Sequence, residues 1–244
     1  MRYAIISDIH ANLEALQAVL SEIDSIGADT IICLGDIVGY GADPNETIDL
    51  LRDRGIVSIL GNHDSVACGF EEPTAFNALA RMAMLWTRNT LTESNRTFLR
   101  ELRREILIGP FFICHGTVHD TNQYLISGDD ARLAFEALHA MEADPIVAFY
   151  GHTHMKAAFS FGRNGVMQEY SEELLIEHGA RYVINPGSIG QPRDSDPRAA
   201  FLIYDTDKRT VQFHRVAYDI ELTQKKIINA GLPHQLAERL TLGR

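Results

Sequence analysis

Residues 3–10 read YAIISDIH, an apolar stretch that ends in two side chains able to bind a metal ion. The short apolar run over residues 3–7 is typical of a buried β-strand. Asp8 and His10 follow the run directly, at the end of the predicted strand. Because α/β proteins usually build their sites beyond the carboxyl ends of strands, this stretch predicts an α/β fold with a functional site at one end of a sheet.

Four further apolar stretches also end in short polar clusters. They are TIICL before Gly35-Asp36, IVSIL before Gly61-Asn62-His63-Asp64, FFIC before His115-Gly116, and IVAFY before Gly151-His152-Thr153-His154. We expect all five clusters to project from the same ends of strands in one sheet. That arrangement would bring four histidines, two aspartates and an asparagine within reach of one point. A metal centre accounts for so many converging ligand-type side chains.

The donor atoms in these clusters are oxygens and imidazole nitrogens. Such donors suit Mn²⁺, Fe²⁺, Zn²⁺ or similar ions, rather than Ca²⁺ or a structural cysteine-rich zinc site. A carboxylate has two oxygens, so one aspartate can bridge two ions. The cysteines Cys33, Cys68 and Cys114 lack C-x-x-C spacing and therefore give no sign of a disulfide framework or a thiolate zinc site.

The ordered set D-x-H, G-D, G-N-H-D, H-G and G-H-x-H resembles the signature of the calcineurin-like metallophosphoesterase superfamily. The resemblance runs from Asp8 to His154 and continues through NPGSIGQPR at residues 185–193. Within the superfamily, the chain is similar to the small bacterial and archaeal phosphodiesterase branch. The resemblance implies a four-layer αββα sandwich, in which two mixed β-sheets are flanked by helices.

The resemblance also implies two divalent transition-metal ions. Mn²⁺ is expected first, with Fe²⁺, Zn²⁺ or Ni²⁺ as alternatives. Carried across by motif, the first ion would bind Asp8, His10 and His154, the second would bind Asn62, His115 and His152, and Asp36 would lie between them. Two metals about 3.5–4 Å apart clamp a phosphate and hold a hydroxide for in-line attack.

Four other residues are candidates for catalysis or substrate contact. His63 is predicted to contact the phosphate or to protonate the leaving oxygen, as an imidazole that titrates near neutrality can. Asp64 either orients His63 or caps the segment that follows. Asn12 and Arg193 are candidate phosphate contacts, and the alternative interpretations are a helix N-cap and a surface arginine.

One departure from the superfamily pattern bears on the substrate. Branches that resemble protein Ser/Thr phosphatases and symmetrical dinucleoside tetraphosphatases carry G-D-x-V-D-R-G, in which the arginine assists the phosphate. Here residues 35–41 read GDIVGYG. Loss of that cation favours a diester monoanion, so we expect a phosphodiesterase for a small phosphorylated or nucleotide-type substrate. The alternatives are a phosphomonoesterase, a nucleotide pyrophosphatase and a non-catalytic metal-binding scaffold.

Length and composition fit one enzyme domain over residues 1–244, with 45% hydrophobic and 23% charged residues. No apolar run approaches the roughly 20 residues that cross a bilayer, so no membrane association is expected. The polar motif at Asp8 begins too early for a signal peptide, which favours a cytoplasmic location. A net charge of −11 disfavours long nucleic acids as partners. A homo-oligomer is compatible with the sequence.

Outside the motifs, the chain alternates predicted strands and helices. Asn12 is expected to cap a helix that ends near Gly27. Residues 74–104 favour one or two helices, which either cap the site or pack beside the sheet. Beyond His154, the stretches KAAFSF, YVI, AAFLIYD and TVQFHRV predict a second sheet packed on the first. A helix around residues 220–229 and a short amphipathic helix over 232–244 would follow.

Overall fold

The computed structural model describes residues 1–118 and 120–244. Its strands are β1 (Arg2–Ile6), β2 (Thr30–Cys33), β3 (Val57–Ser58), β4 (Glu105–Ile108), β5 (Phe111–Cys114), β6 (Val147–Phe149), β7 (Lys156–Gly162), β8 (Gly165–Glu169), β9 (Glu173–Leu175), β10 (Arg181–Pro186), β11 (Ala199–Asp205) and β12 (Thr210–Val216). Its α-helices are α1 (Leu13–Ile26), α2 (Pro44–Asp53), α3 (Asn62–Ala67), α4 (Ala78–Thr90), α5 (Glu93–Glu101), α6 (Gly128–His139), α7 (Ile220–Asn229) and α8 (His234–Glu238). Short 3₁₀ turns cover Pro73–Ala75 and Arg239–Leu242.

The strands form two six-stranded mixed sheets. The first has the order β3-β2-β1-β11-β12-β9, and the second has the order β4-β5-β6-β10-β7-β8. In the first sheet β1, β2 and β3 are parallel, and β11 and β12 are added antiparallel. In the second sheet β5, β6 and β10 are parallel, flanked by antiparallel β4 and β7. The parallel strands of each sheet therefore point their carboxyl ends at one edge.

Side chains of β1 alternate between two apolar layers, as the pleat of a strand requires. Tyr3 and Ile5 pack in the interior between the sheets, together with Phe111 and Phe149 of the second sheet. The opposite face of β1 packs against α1, and α6 covers the outer face of the second sheet. These layers confirm the predicted four-layer αββα sandwich.

The prediction that all five polar clusters leave one sheet is wrong. Asp8, Asp36 and Asn62 follow strands β1, β2 and β3 of the first sheet. His115 and His152, in contrast, follow β5 and β6 of the second sheet. An apolar run reports that a strand is buried but not which strand it pairs with, so the sequence pattern could not separate the two sets.

The predicted strand composition of the second sheet is half right. KAAFSF and YVI form β7 and β10 of the second sheet, whereas AAFLIYD and TVQFHRV form β11 and β12 of the first. Strand β11 pairs antiparallel with β1, with Arg2 opposite Asp205 and Ile5 opposite Leu202. The chain thus returns to its first strand only after it has built the other sheet.

Several helix predictions are confirmed by their end residues. Helix α1 begins after Asn12, whose side-chain oxygen accepts a hydrogen bond from the backbone N–H of Ala15 at 3.1 Å, and it ends at Gly27 with φ +81°. The helix predicted around residues 220–229 is α7. The tail, predicted as one helix, is instead α8 followed by a 3₁₀ turn. Within the described residues, no helix has the length and apolar character needed to span a membrane.

Candidate metal centre

The first group of predicted ligands comes together at the edge where strand ends from both sheets meet. Ligand atoms of Asp8, His10, Asp36 and His154 all lie within 4.8 Å of one another, and all four residues are buried. Asp8 and Asp36 come from adjacent parallel strands, β1 and β2. His154 is brought to them by the loop after β6 of the second sheet. The two sheets therefore share the construction of this group.

A second group shares one residue with the first. Ligand atoms of Asp36, His115 and His152 lie within 4.8 Å of one another, and the three residues are buried. Asn62 reaches the same place, since its Oδ1 lies 3.1 Å from Nε2 of His115. Asp36 is thus common to two adjacent sets of donors, and the seven predicted ligands surround one buried region.

Three of the histidines are held by backbone carbonyls through Nδ1. The contacts are His10 to Val38 O (3.1 Å), His115 to Leu34 O (2.8 Å) and His154 to Gln191 O (2.7 Å). A carbonyl only accepts, so Nδ1 carries the proton in each ring and Nε2 is directed to the centre. His152 is turned the other way, with Nε2 3.1 Å from Asn122 O. Backbone contacts of this kind fix the tautomer and orientation of metal-ligating histidines.

The arrangement of these atoms fits a bound cation. Nε2 of His10 and Nε2 of His154 face each other at 3.0 Å. Burial lowers the pKa of both imidazoles well below the usual value. The neighbouring His63 also lowers the pKa of His10, and Arg193 also lowers the pKa of His154. Two neutral rings would then oppose lone pairs across this distance. A cation coordinated by both nitrogens would remove the repulsion.

Asp36 provides a further indication of a cation. Its Oδ1 accepts a hydrogen bond from the backbone N–H of His63 at 2.9 Å. Its Oδ2 is buried, and no hydrogen bond to it is present in residues 1–118 and 120–244. The nearest basic atoms are Nε2 of His115 at 3.3 Å and Nε2 of His10 at 3.7 Å. A buried carboxylate oxygen without a hydrogen bond is costly unless a cation accompanies it.

Charge coupling in the pocket also fits this interpretation. Burial opposes the charge on Asp36, but the nearby His115 holds the pKa of this carboxyl well below its usual range. Burial likewise opposes a charged His115, yet Asp36 raises the pKa of this imidazole to about 9. A protonated His115 thus supplies the positive charge beside the Asp36 carboxylate that a bound cation would otherwise supply. Metal binding would have to displace this proton, so metal affinity is expected to fall at low pH.

Five of the seven predicted ligands have left-handed backbone conformations, which non-glycine residues rarely adopt. They are Asp8 (φ +52°), His10 (+50°), Asp36 (+53°), His152 (+67°) and His154 (+61°). Each such residue costs of order 1–3 kcal/mol, and such strain clusters at functional sites. All five residues lie in the loops that directly follow strands β1, β2 and β6, where the polar clusters begin.

His63 lies beside the ligands, and its ring lines the cavity at the centre. The ring is in edge contact with His10, at a centroid distance of 4.8 Å. Burial lowers the pKa of His63 to about 4, so its ring is neutral near pH 7 in the absence of ligands. A bound phosphate anion would raise this pKa, because a nearby negative charge favours the imidazolium.

Two roles were open for Asp64, orienting His63 or capping the following segment, and its hydrogen bonds have the geometry of a cap. Its Oδ2 accepts a hydrogen bond from the backbone N–H of Gly61 at 3.0 Å, at the start of α3. Its Oδ1 accepts one from the backbone N–H of Val38 at 3.1 Å. Asp64 therefore ties the loop after β2 to the loop after β3, and these bonds hold Asp36 and Asn62 in register.

The two candidate phosphate contacts are placed differently. The guanidinium of Arg193 lines the cavity and lies 5.9 Å above the Tyr40 ring, with its Nη2 2.9 Å from Oε1 of Gln191. Asn12 is not brought to the cavity. Its Oδ1 caps α1, and its Nδ2 donates to the carbonyl of Gly190 at 3.0 Å. Both polar groups of Asn12 are thus used inside the protein.

Several residues that line the cavity were not predicted from the sequence as site residues. The cavity has a volume of about 200 Å³, and its additional lining residues are Tyr40, Ala75, Phe76, Asn77, Ala80, Asn122 and Tyr124. Tyr124 stacks on His152 at a centroid distance of 4.3 Å. Only Tyr40 carried a sequence signal, as the residue in place of arginine. Of the helical segment over 74–104, the turn before α4 and the first turn of α4 reach the cavity.

The sandwich fold and its buried aspartate–histidine centre define the class of metallophosphoesterases. Residues 1–209 match the family model described as the calcineurin-like phosphoesterase superfamily domain, and the chain belongs to this superfamily. The superfamily uses divalent metal ions, and membership in it supports a phosphoric ester hydrolase.

Relatives match over the full length of the chain. An uncharacterized protein of Methanocaldococcus jannaschii is 37% identical over 246 residues, which covers 99% of this chain and 98% of that protein. A crystal structure of a metallophosphoesterase from Sphaerobacter thermophilus is similar with a TM-score of 0.85 and 38% identity, covering 100% of this chain and 99% of the other. A hypothetical protein from Pyrococcus horikoshii OT3 has a TM-score of 0.82 at 19% identity, covering 100% and 98%, and this likeness supports the fold alone.

Gly39 packs so closely beside the centre that a side chain there is expected to destabilise the protein. A Cβ at Gly39 would lie 2.5 Å from Nδ1 of His63 and 2.9 Å from Sδ of Met84, at φ +94°. Gly55 is a matched control, because it also has positive φ (+60°) but nothing within 4 Å of its Cβ position. We expect Gly55→Ala to cost about 1–2 kcal/mol from backbone strain. Gly39→Ala should cost about 1–3 kcal/mol more from overpacking.

Denaturant unfolding of the wild-type protein and both variants measures this difference. Equal midpoints for the two variants would mean that His63 and Met84 move aside without cost, contrary to the packing described here.

Proposed function

We propose that this protein is a dinuclear metal-dependent phosphodiesterase for a small phosphorylated or nucleotide-type substrate. The observation that carries the proposal is the position of Asp36 in both groups of ligand atoms. A carboxylate shared in this way can bridge two ions, which is the arrangement used for in-line displacement at phosphorus. One ion would be held by Asp8, His10 and His154, and the other by Asn62, His115 and His152.

The donor set also limits the metal. When bound, two divalent ions supply positive charge to the phosphoryl oxygens and acidify water for attack. The donors are imidazole nitrogens and carboxylate or amide oxygens, which suit Mn²⁺, Fe²⁺, Zn²⁺ or Ni²⁺, and the resemblance to the superfamily places Mn²⁺ first among them. The cavity holds no cysteine among its lining residues as described. The site therefore does not select for metals that prefer thiolate ligands.

Residues of the chain would bind and orient the phosphate beside the ions. Arg193 is restrained by Gln191 and Tyr40, and its Nε is buried without a hydrogen-bond partner in the described parts of the chain. A phosphate oxygen would give this N–H a charge-assisted acceptor. His63 lines the same cavity and is the residue placed to exchange a hydrogen bond or a proton with an ester oxygen.

The wall of the cavity favours a diester. Tyr40, Phe76, Ala80 and Tyr124 offer aromatic and apolar surface around the ligands. A diester brings a second organic substituent that can cover such surface, whereas a monoester presents one more charged oxygen to it. The cavity volume of about 200 Å³ suits a small molecule, and the net charge of −11 argues against long nucleic acids.

Arg193 supports a second candidate, a phosphomonoesterase. The sequence departure at Tyr40 removes a cation from residues 35–41, but the guanidinium of Arg193 lies over this same tyrosine ring. A positive charge is thereby restored from a different loop. Added positive charge strengthens binding of a dianion more than that of a monoanion, so monoesters are the comparison that matters.

We expect the protein to hydrolyse an aryl phosphodiester with a higher kcat/KM than the matching aryl phosphomonoester. Both should be measured with Mn²⁺, Zn²⁺, Fe²⁺ and Mg²⁺, and the preferred class should then be extended to nucleotides. A tenfold preference for the monoester, about 1.4 kcal/mol in transition-state stabilisation, would assign the protein to the second candidate. Hydrolysis of neither class with any of these metals would favour the non-catalytic scaffold instead.

A further inference from the structure

The imidazole Nδ1 of His63 is in contact with the sulfur of a methionine. Its Nδ1 lies 3.1 Å from Sδ of Met84, and Met84 is fully buried on α4. The faces of the imidazole are also occupied, because Phe76 stacks on it at a centroid distance of 4.6 Å and Tyr40 lies at 4.6 Å. The ring therefore has little freedom to turn away from this contact.

The carboxylate next to His63 in sequence does not serve as its partner. Both oxygens of Asp64 accept backbone hydrogen bonds, from Gly61 and from Val38. On the Nδ1 side of the ring the backbone of Gly39 comes close, and a Cβ there would lie 2.5 Å from Nδ1. The absence of a side chain at residue 39 leaves room for the sulfur of Met84, which is then the acceptor for Nδ1.

A thioether sulfur accepts a hydrogen bond but cannot donate one, so a bond to Met84 places the proton on Nδ1 of His63. Met84 and Gly39 are outside the set of residues that line the cavity, whereas Tyr40, Phe76 and His63 itself belong to it. The opposite edge of the ring, with Nε2, is thus directed towards the cavity. In the neutral ring Nε2 carries the free lone pair.

We propose that Met84 is the positioning residue of His63, holding Nδ1 with its sulfur so that Nε2 faces the phosphate. The role rests on the proposed function, since it gives His63 the orientation that hydrolysis needs. It also assigns a task to the helical segment over 74–104. That segment places Phe76 on one face of the histidine ring and Met84 behind it, and both belong to the same stretch of chain.

The decisive comparison is Met84→Leu against Met82→Leu. Leucine keeps most of the volume of methionine but cannot accept a hydrogen bond, and volume-conserving swaps of this kind are well tolerated in cores. Met82 is on the same helix and is 56% exposed, so its substitution controls for general effects on α4.

The first readout does not depend on activity. In the full-length protein reconstituted with diamagnetic Zn²⁺, ¹⁵N NMR of the histidine rings should find neutral His63 as the Nδ1–H tautomer in the wild type and in Met82→Leu. Met84→Leu should convert His63 to a mixture of tautomers. A wild-type His63 in the Nε2–H form, or an unchanged tautomer in Met84→Leu, overturns the proposal.

The second readout is the split between kcat and KM. Met84→Leu should lower kcat about tenfold for an alkyl ester, a part of the 10²–10⁴ supplied by one acid–base group. The loss should be smaller for a nitrophenyl ester, whose leaving group needs little protonation, and KM and metal content should match those of Met82→Leu. An equal loss for both esters would assign Met84 to packing alone. If neither the wild type nor any variant hydrolyses an ester, but the tautomer of His63 changes as expected, then Met84 positions His63 and the proposed function is wrong.

Discussion

Asp36→Asn is expected to bind at least one metal ion fewer per chain than the wild-type protein and to lose nearly all hydrolytic activity. Asparagine has the shape of aspartate but only one oxygen, and its amide nitrogen is no ligand for a cation. Because Asp36 belongs to both ligand groups, the change removes the shared carboxylate from the centre. Because a bridging carboxylate contributes several kcal/mol of transition-state stabilisation, the hydrolysis rate of Asp36→Asn should be lower than that of the wild type by about 10³-fold or more.

Elemental analysis of gently purified protein, together with kcat/KM under Mn²⁺ activation, measures both effects. The wild type should contain up to two transition-metal equivalents per chain, and chelator treatment should abolish its activity. Asp53→Asn is the matched control, since Asp53 is exposed at the end of α2, and it should behave as the wild type. A wild-type protein with no metal and no activation by Mn²⁺ would remove the basis of the proposed function.

His63→Ala is expected to keep its metal content and to lose about 10²–10⁴-fold in kcat, the usual contribution of one acid–base group. The metal is retained because no ligand atom of the two groups belongs to His63. The loss should be smaller for a nitrophenyl ester than for an alkyl ester, since nitrophenolate leaves with little protonation. Metal analysis and steady-state kinetics with the two esters test both parts.

His139→Ala provides the control for this variant. His139 has a side chain 75% exposed and contacts Asp144 at the surface, so its removal should change neither metal content nor rate. Loss of metal from His63→Ala would mean that this histidine is a ligand. A rate within twofold of the wild type would exclude it from catalysis and would leave the metal centre to act with Arg193 alone.

Some features of the fold could be predicted because they depend on neighbouring residues in the chain. The cap at Asn12, the left-handed end at Gly27 and the strands before each polar cluster follow from local backbone chemistry. The order of the strands in the sheets has a different origin. Strand β11 pairs with β1 across about 200 residues of sequence, and a buried strand looks the same in either sheet.

The candidate site divides in the same way. The candidate ligands could be chosen from motifs, because each of these side chains follows a strand that the sequence reveals. The wall of the cavity could not, since Phe76 and Tyr124 come from loops whose path depends on packing. Asn12 illustrates the reverse case, in which a suitable side chain is already engaged by the N–H of Ala15 and the carbonyl of Gly190.

By itself, the sequence determined the donor atoms, their order along the chain and their positions after strand-like apolar runs. Only the tertiary structure decided that Asp8 and Asp36 meet His115 and His152 across a boundary between two sheets. It also decided that Arg193 stands over Tyr40 and that Met84 stands behind His63. The physical reason is range: caps, turns and strand runs arise from interactions over a few residues, whereas the pairing of strands and the contacts of side chains are set by the packing of the whole chain.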